Sequence, residues 1–152
     1  MEYSLTCAQP WQDPTSLARQ LIANHVALES VAVVNDTDIY GRRLTGTVLT
    51  KNVACEKRVF IRFTTINWAS YFDRPCTHIQ TLSTHEKFVF DIRIPLNART
   101  KFIEFCVYCI LDTEYGSSIY CDDNMGRSYR LTNDGYLSAA AHKTNTLLAS
   151  RY

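Results

Sequence analysis

From Val26 onward the chain is a succession of short runs rich in Val, Ile, Phe, Tyr and Thr, each bounded by Asp, Asn, Gly or Pro. Branched and aromatic side chains suit a pleated surface and the bounding residues suit turns, so these runs are predicted strands. They cover 26–34, 43–54, 57–65, 87–94, 100–111, 119–121 and 127–131. Phe88-Val-Phe-Asp-Ile-Arg-Ile94 alternates apolar and polar positions, which gives a strand one dry face and one wet face. Seven short strands at this spacing predict an all-β fold, an immunoglobulin-like antiparallel β-sandwich, with short helical or irregular terminal segments. Near the start, Asp13 caps and Pro14 opens a predicted short helix; near the end, the Ala-rich 134–150 reads as a helix or a fraying tail. The expected organisation is a lead-in over 1–24, one domain over 25–132 and a tail over 133–152.

At 152 residues the chain suits one domain with a proper core. Sixteen basic against fifteen acidic side chains leave a net charge of +1 with no like-charged block, which argues against a nucleic-acid partner. No apolar run approaches a membrane span and no signal pattern opens the chain, so the expected location is cytoplasmic. In that compartment the six cysteines read as reduced, small hydrophobes. Cys106 and Cys109 have a zinc-like spacing, but on a strand residues three apart face opposite ways and cannot share an ion. Neither metal nor cofactor is expected. Asp122 and Asp123 are adjacent, whereas acid/base carboxyls must converge across a cleft, and the four histidines form no catalytic series. The chain is therefore read as non-catalytic.

Two stretches are distinctive. Leu44-Thr-Gly-Thr-Val-Leu-Thr-Lys-Asn-Val-Ala-Cys-Glu-Lys-Arg-Val-Phe-Ile-Arg62 is a strand pair broken by a polar turn, with Trp68 just beyond. Ile119-Tyr-Cys-Asp-Asp-Asn-Met-Gly-Arg-Ser-Tyr129 is a strand end that runs into a polar loop closed by a tyrosine. With Gln9-Pro10, 26–29, Tyr71, Asp73 and 104–108 in register between and around them, they form an ordered series from about Gln9 to Leu131. That series resembles the carbohydrate-binding module of family 21, in particular its version in the glycogen-targeting regulatory subunits of protein phosphatase 1.

The resemblance implies a non-catalytic module that binds glycogen or another α-glucan. It also implies partners: the protein phosphatase 1 catalytic subunit and substrates such as glycogen synthase, gathered on glycogen. The implied sugar contacts are Trp68, with Asp122, Asn124 and Tyr129 in the neighbouring loop, and Asn52 with Lys57 in a second patch. The chemistry fits, since a pyranose has an apolar C–H face and a rim of hydroxyls. An exposed indole there is worth about 1–3 kcal/mol by analogy with base stacking. Each residue has a plainer reading as well. Trp68 could plug the sandwich, Lys57 could be a solvated turn charge, Asn124 with Gly126 a turn signal, and Tyr129 a corner tyrosine that ties down its loop.

The chain departs from the family pattern at four places. Cys55 and Cys121 stand where the family has aromatics, and Asp123 and Ser128 where it has asparagines. Each thiol removes a stacking face. The family's phosphatase-docking peptide pairs a basic residue with Val or Ile and then Phe. Lys101-Phe-Ile-Glu-Phe105 fits those letters, but it lies in an apparent core strand and a docking peptide must be free to add at an edge. A form without that peptide would compete for glycogen or substrate instead of recruiting the enzyme. Two functional readings follow: glycan binding through Trp68, or a protein-interaction module of the same fold that no longer binds glycan.

Overall fold

The computed structural model describes residues 3–5, 14–35, 42–53, 55–94 and 102–133. Strand β1 (Tyr3–Leu5) and helix α1 (Pro14–Asn24) precede β2 (Val26–Asn35), β3 (Arg42–Lys51), β4 (Glu56–Thr64), β5 (Phe72–Pro75) and β6 (Thr77–Thr81). There follow β7 (His85–Ile94), β8 (Phe102–Thr113), β9 (Gly116–Asp122) and β10 (Tyr129–Asn133). One sheet has the order β1-β10-β8-β4-β5, with β9 also paired to β8; the other has the order β2-β3-β7-β6. Every pairing is antiparallel, and the predicted antiparallel β-sandwich is the fold the chain adopts.

Period-two alternation builds the core. Val59, Ile61 and Phe63 of β4 and Ile103, Phe105, Val107, Cys109 and Leu111 of β8 point inward. From the opposite sheet Leu44, Val48, Phe88, Phe90, Ile92 and Ile94 meet them. Full burial of one such side chain is worth roughly 1.5–3 kcal/mol, so this cluster dominates stability. Cys109 lies in that core, and Cys106, buried outside the core cluster, lies on the outer face of β8. The two sulfurs three residues apart do face opposite ways.

The seven predicted strands are all present, with ends moved by at most three residues. β1, β5 and β6 were not predicted. β5 and β6 are exposed at every position and β1 is three residues long, so none carries an apolar alternation to read. Helix α1 starts at Pro14 as expected; its predicted cap Asp13 and the 134–150 segment lie outside the described residues. The helix ends as His25 turns to φ 62, the left-handed conformation that typically closes a helix, and its ring stacks on Tyr120 at 4.0 Å. The docking-like letters around Phe102–Phe105 fall in β8, held by β4 on one side and β10 on the other.

Gly46 of β3 fills a position where no side chain fits. A Cβ there would collide with the Ser30 carbonyl oxygen and come within 2.5 Å of the Phe90 ring. Gly46→Ala should cost about 1–3 kcal/mol of stability through overpacking, read as a lower urea midpoint at unchanged slope.

Candidate functional site

Two loops meet at one end of the larger sheet, residues 65–71 after β4 and residues 123–128 before β10. Thr64, the last residue of β4, organises the first. Its buried hydroxyl donates to the Ser70 carbonyl at 2.7 Å and accepts the N–H groups of Ile66 and Trp68, both at 3.2 Å. Asn67 and Trp68 are thereby held at φ 54 and 65. A left-handed tryptophan is uncommon, because its Cβ crowds the following carbonyl. The side chain is half-buried, and its Nε1–H donates to Glu104 Oε2 at 3.4 Å. Ser128, from the second loop, donates its hydroxyl to the same oxygen at 3.1 Å.

The second loop is built around Asp122, which is fully buried. Its carboxylate accepts the Leu28 N–H at 2.8 Å, the Asn124 N–H at 3.2 Å and the Tyr129 hydroxyl at 2.9 Å. Burial pushes this carboxyl above the ordinary carboxylate range, although all three donors pull it down. Tyr129 is fully buried and stacks on Phe105, while Asn124 Nδ2 donates to the Ser128 carbonyl at 3.1 Å. The Asp123 carboxylate accepts the Gly126 N–H at 2.9 Å, and Asn124, Met125, Gly126 and Ser128 all take positive φ. Asp122, Asn124 and Tyr129 thus stand behind the surface, which is presented by Met125, Gly126 and Arg127.

Asn52 and Lys57 lie at the other end of the molecule. Seven residue steps along β4 separate Lys57 from Thr64, roughly 23 Å of extended chain. Asn52 is exposed, and its Nδ2 donates to the Leu82 carbonyl at 2.9 Å. Lys57 is not a solvated turn charge. Its side chain is 5% exposed, and Nζ donates to Glu86 Oε1 at 2.7 Å and to the Val53 carbonyl at 3.0 Å. Asn52 also edges a cavity of about 540 Å³ beneath α1, whose walls include the aliphatic Leu17, Leu21, Ile22, Leu49 and Val53. The structure therefore gathers Trp68, Asp122, Asn124 and Tyr129 at one rim and places Asn52 and Lys57 at the opposite one.

Sequence reading missed Thr64 and Glu104 as site residues. They are direct cross-strand partners, a register that no local pattern reveals. The one available signal was a carboxylate inside the apolar run of β8. Arg62 was noticed without a role. It pairs with both Asp73 oxygens at 2.8 and 3.1 Å and lies 4.3 Å from the Tyr71 ring centroid and 4.7 Å from that of Tyr108. The bond to Asp73 raises its pKa further. Among the described residues, no cluster of three His, Cys, Asp or Glu could hold a metal ion.

The family described as carbohydrate/starch-binding module (family 21) matches residues 20–132. Human protein phosphatase 1 regulatory subunit 3B is 35% identical over 133 residues, which is 85% of this chain and 43% of the relative. Regulatory subunit 3C of Xenopus tropicalis is 34% identical over 135 residues, 88% of this chain and 56% of the relative. The chain spans about half the length of these relatives. The solution structure of the carbohydrate binding module of the muscle glycogen-targeting subunit of Protein Phosphatase-1 superimposes with a TM-score of 0.64. It covers 86% of this chain and 92% of that one at 23% identity, a likeness of fold.

Removing the phenolic hydroxyl in Tyr129→Phe should cost about 1.5–3 kcal/mol in urea denaturation, the usual range for a hydrogen bond to a charged group. Burial pushes the Cys76 thiol up to about 12 and the Cys109 thiol up to about 11. Both should stay protonated at pH 9 and alkylate with iodoacetamide at least about tenfold more slowly than in the unfolded chain, because the thiolate is the reactive form.

Proposed function

The chain belongs to the family 21 carbohydrate/starch-binding modules, which bind and do not catalyse, and we propose that it holds an α-glucan such as glycogen against Trp68. The observation that carries this reading is the backbone of Trp68, held at φ 65 by the Thr64 hydroxyl. Left-handed strain on a bulky residue persists only where the surroundings over-determine it, and such strain gathers at ligand sites. A tryptophan needed only as core filler would sit on a relaxed strand.

In this reading the indole supplies the apolar platform, and the 123–128 loop beside it supplies polar edges. Asp122, Asn124 and Tyr129 shape that loop from below. Asn52 offers a separate, outlying hydroxyl contact, and Lys57 braces its corner through Glu86. The binding unit corresponds to residues 25–132. Cys55 and Cys121 provide no ring faces, so affinity rests on one aromatic and is weak per site, gaining from attachment at many points on a branched polymer.

The relatives' names point to protein phosphatase 1, and the proposed role is to place that phosphatase or its substrates on glycogen. No helix among the described residues is long and apolar enough to cross a membrane. A second reading, a protein-interaction module without glycan binding, draws on the outer face of the larger sheet. There Ile119 and Tyr71 are 65% and 51% exposed.

Glycogen co-sedimentation of the wild type and Trp68→Ala separates the two readings. Loss of the platform should weaken binding by roughly 5- to 150-fold, the equivalent of the 1–3 kcal/mol typical of base–aromatic stacking. A wild-type protein that never pellets with glycogen supports the protein-interaction reading.

A further inference from the structure

A buried carboxylate on a core strand is costly unless donors surround it. Glu104 is 5% exposed within β8, between the core residues Ile103 and Phe105. Its partners come from three separate places. The Trp68 indole N–H arrives from the 65–71 loop at 3.4 Å, the Ser128 hydroxyl from the 123–128 loop at 3.1 Å, and Arg130 Nη2 from β10 at 3.6 Å. Two of these share a single oxygen, Oε2. Directly across the strand pair, Thr64 fixes the backbone of the same tryptophan.

We infer that Glu104 is the positioning residue of the Trp68 platform: it locks the indole at its Nε1 end while Thr64 locks it at its backbone end. The inference rests on the glycan-binding reading for its functional consequence, though not for its structural one. A stacking platform gains from being fixed beforehand, because a ring that must be ordered by its ligand returns part of the contact energy as lost rotamer freedom. Glu104 removes that loss. Through Ser128 it also fixes the height of the second loop against the ring, so one carboxylate sets the relative position of both halves of the surface. Removing it frees the indole to rotate and separates the two loops.

The test uses the full 152-residue chain as wild type, Glu104→Ala and Glu104→Gln. Its first readout is the Trp68 indole Nε1–H resonance in ¹H–¹⁵N spectra, distinguished from that of Trp11 by Trp68→Phe. Its second is glycogen co-sedimentation. In Glu104→Ala the resonance should move upfield and exchange faster with water. Glycogen binding should weaken roughly 2- to 12-fold, the equivalent of ordering one flexible side chain on binding.

Glu104→Gln keeps a carbonyl acceptor, so it should shift the resonance less and retain most of the binding. If Glu104→Ala does not fold, Glu104→Gln decides alone, since the weaker acceptor must still move the peak. An unmoved Trp68 resonance in the folded variants overturns the inference. So does a moved resonance with unchanged binding, provided Trp68→Ala has weakened it. If Trp68→Ala binds glycogen as the wild type does, the glycan reading fails instead, and the resonance alone judges whether Glu104 fixes the ring.

Discussion

The Asp122 carboxylate ties the two sheets together through one buried hydrogen bond. Among the described residues β2 is the outer strand of its sheet, and no strand lies beyond it to take the Leu28 N–H. Asp122, reaching from β9 of the other sheet, accepts that N–H at 2.8 Å. The same carboxylate takes the Tyr129 hydroxyl, the first side chain after the loop, and the Asn124 N–H within it. One buried group thus links the two sheets at this edge and anchors the entry, turn and exit of the 123–128 loop. Burial works against its charge, and the three donors make the arrangement tolerable. Without it the loop would lose its inner anchor and be held at the Trp68 rim only through Ser128.

The rim shows how a rigid scaffold carries strained segments. Every described non-glycine residue with positive φ, apart from the helix-closing His25, lies in the 65–71 or the 123–128 loop. Such conformations cost of order 1–3 kcal/mol each, so the surroundings must hold them. They are held by short side chains whose bonds are local, Thr64 in the first loop and Asp122, Asp123 and Asn124 in the second. The residues that look most like ligand contacts in the sequence, Asp122, Asn124 and Tyr129, are the supports. The exposed side chains of the second loop, Met125 and Arg127, carry no motif.

The long strands were legible for two reasons: β4 and β7 alternate apolar and polar positions against a continuous core, and β8 is an apolar run of strand-forming residues bounded by turn signals. β5 and β6 were not, since a strand exposed on both faces leaves no hydrophobic signature; besides backbone pairing they are held by side-chain contacts such as Arg62–Asp73 and His78–Phe88, which join residues distant in the chain. The opposite faces of Cys106 and Cys109 followed from strand geometry. The state of Lys57 did not, because its partner Glu86 is 29 residues away and only the folded β7 brings it near. Trp68 could be assigned to a rim from its polar neighbours, but its bond to Glu104 spans 36 residues and depends on the register of β4 with β8. Local chemistry was readable, and side-chain partnerships across strands were not.

Opposite ends of β4 hold the indole rim and the Asn52 corner, and that separation limits what can occupy both. On the proposed glycan reading, a di- or trisaccharide settled on the ring would fall well short of the far corner, so a short oligosaccharide would fill one region and leave the other empty. Only a polymer whose chains pass along the length of the sandwich, or whose neighbouring branches reach both ends, can engage them together. Oligosaccharide titrations and polymer pull-downs on the same protein would then give different apparent strengths, and the ratio between them measures how far the two ends act in concert.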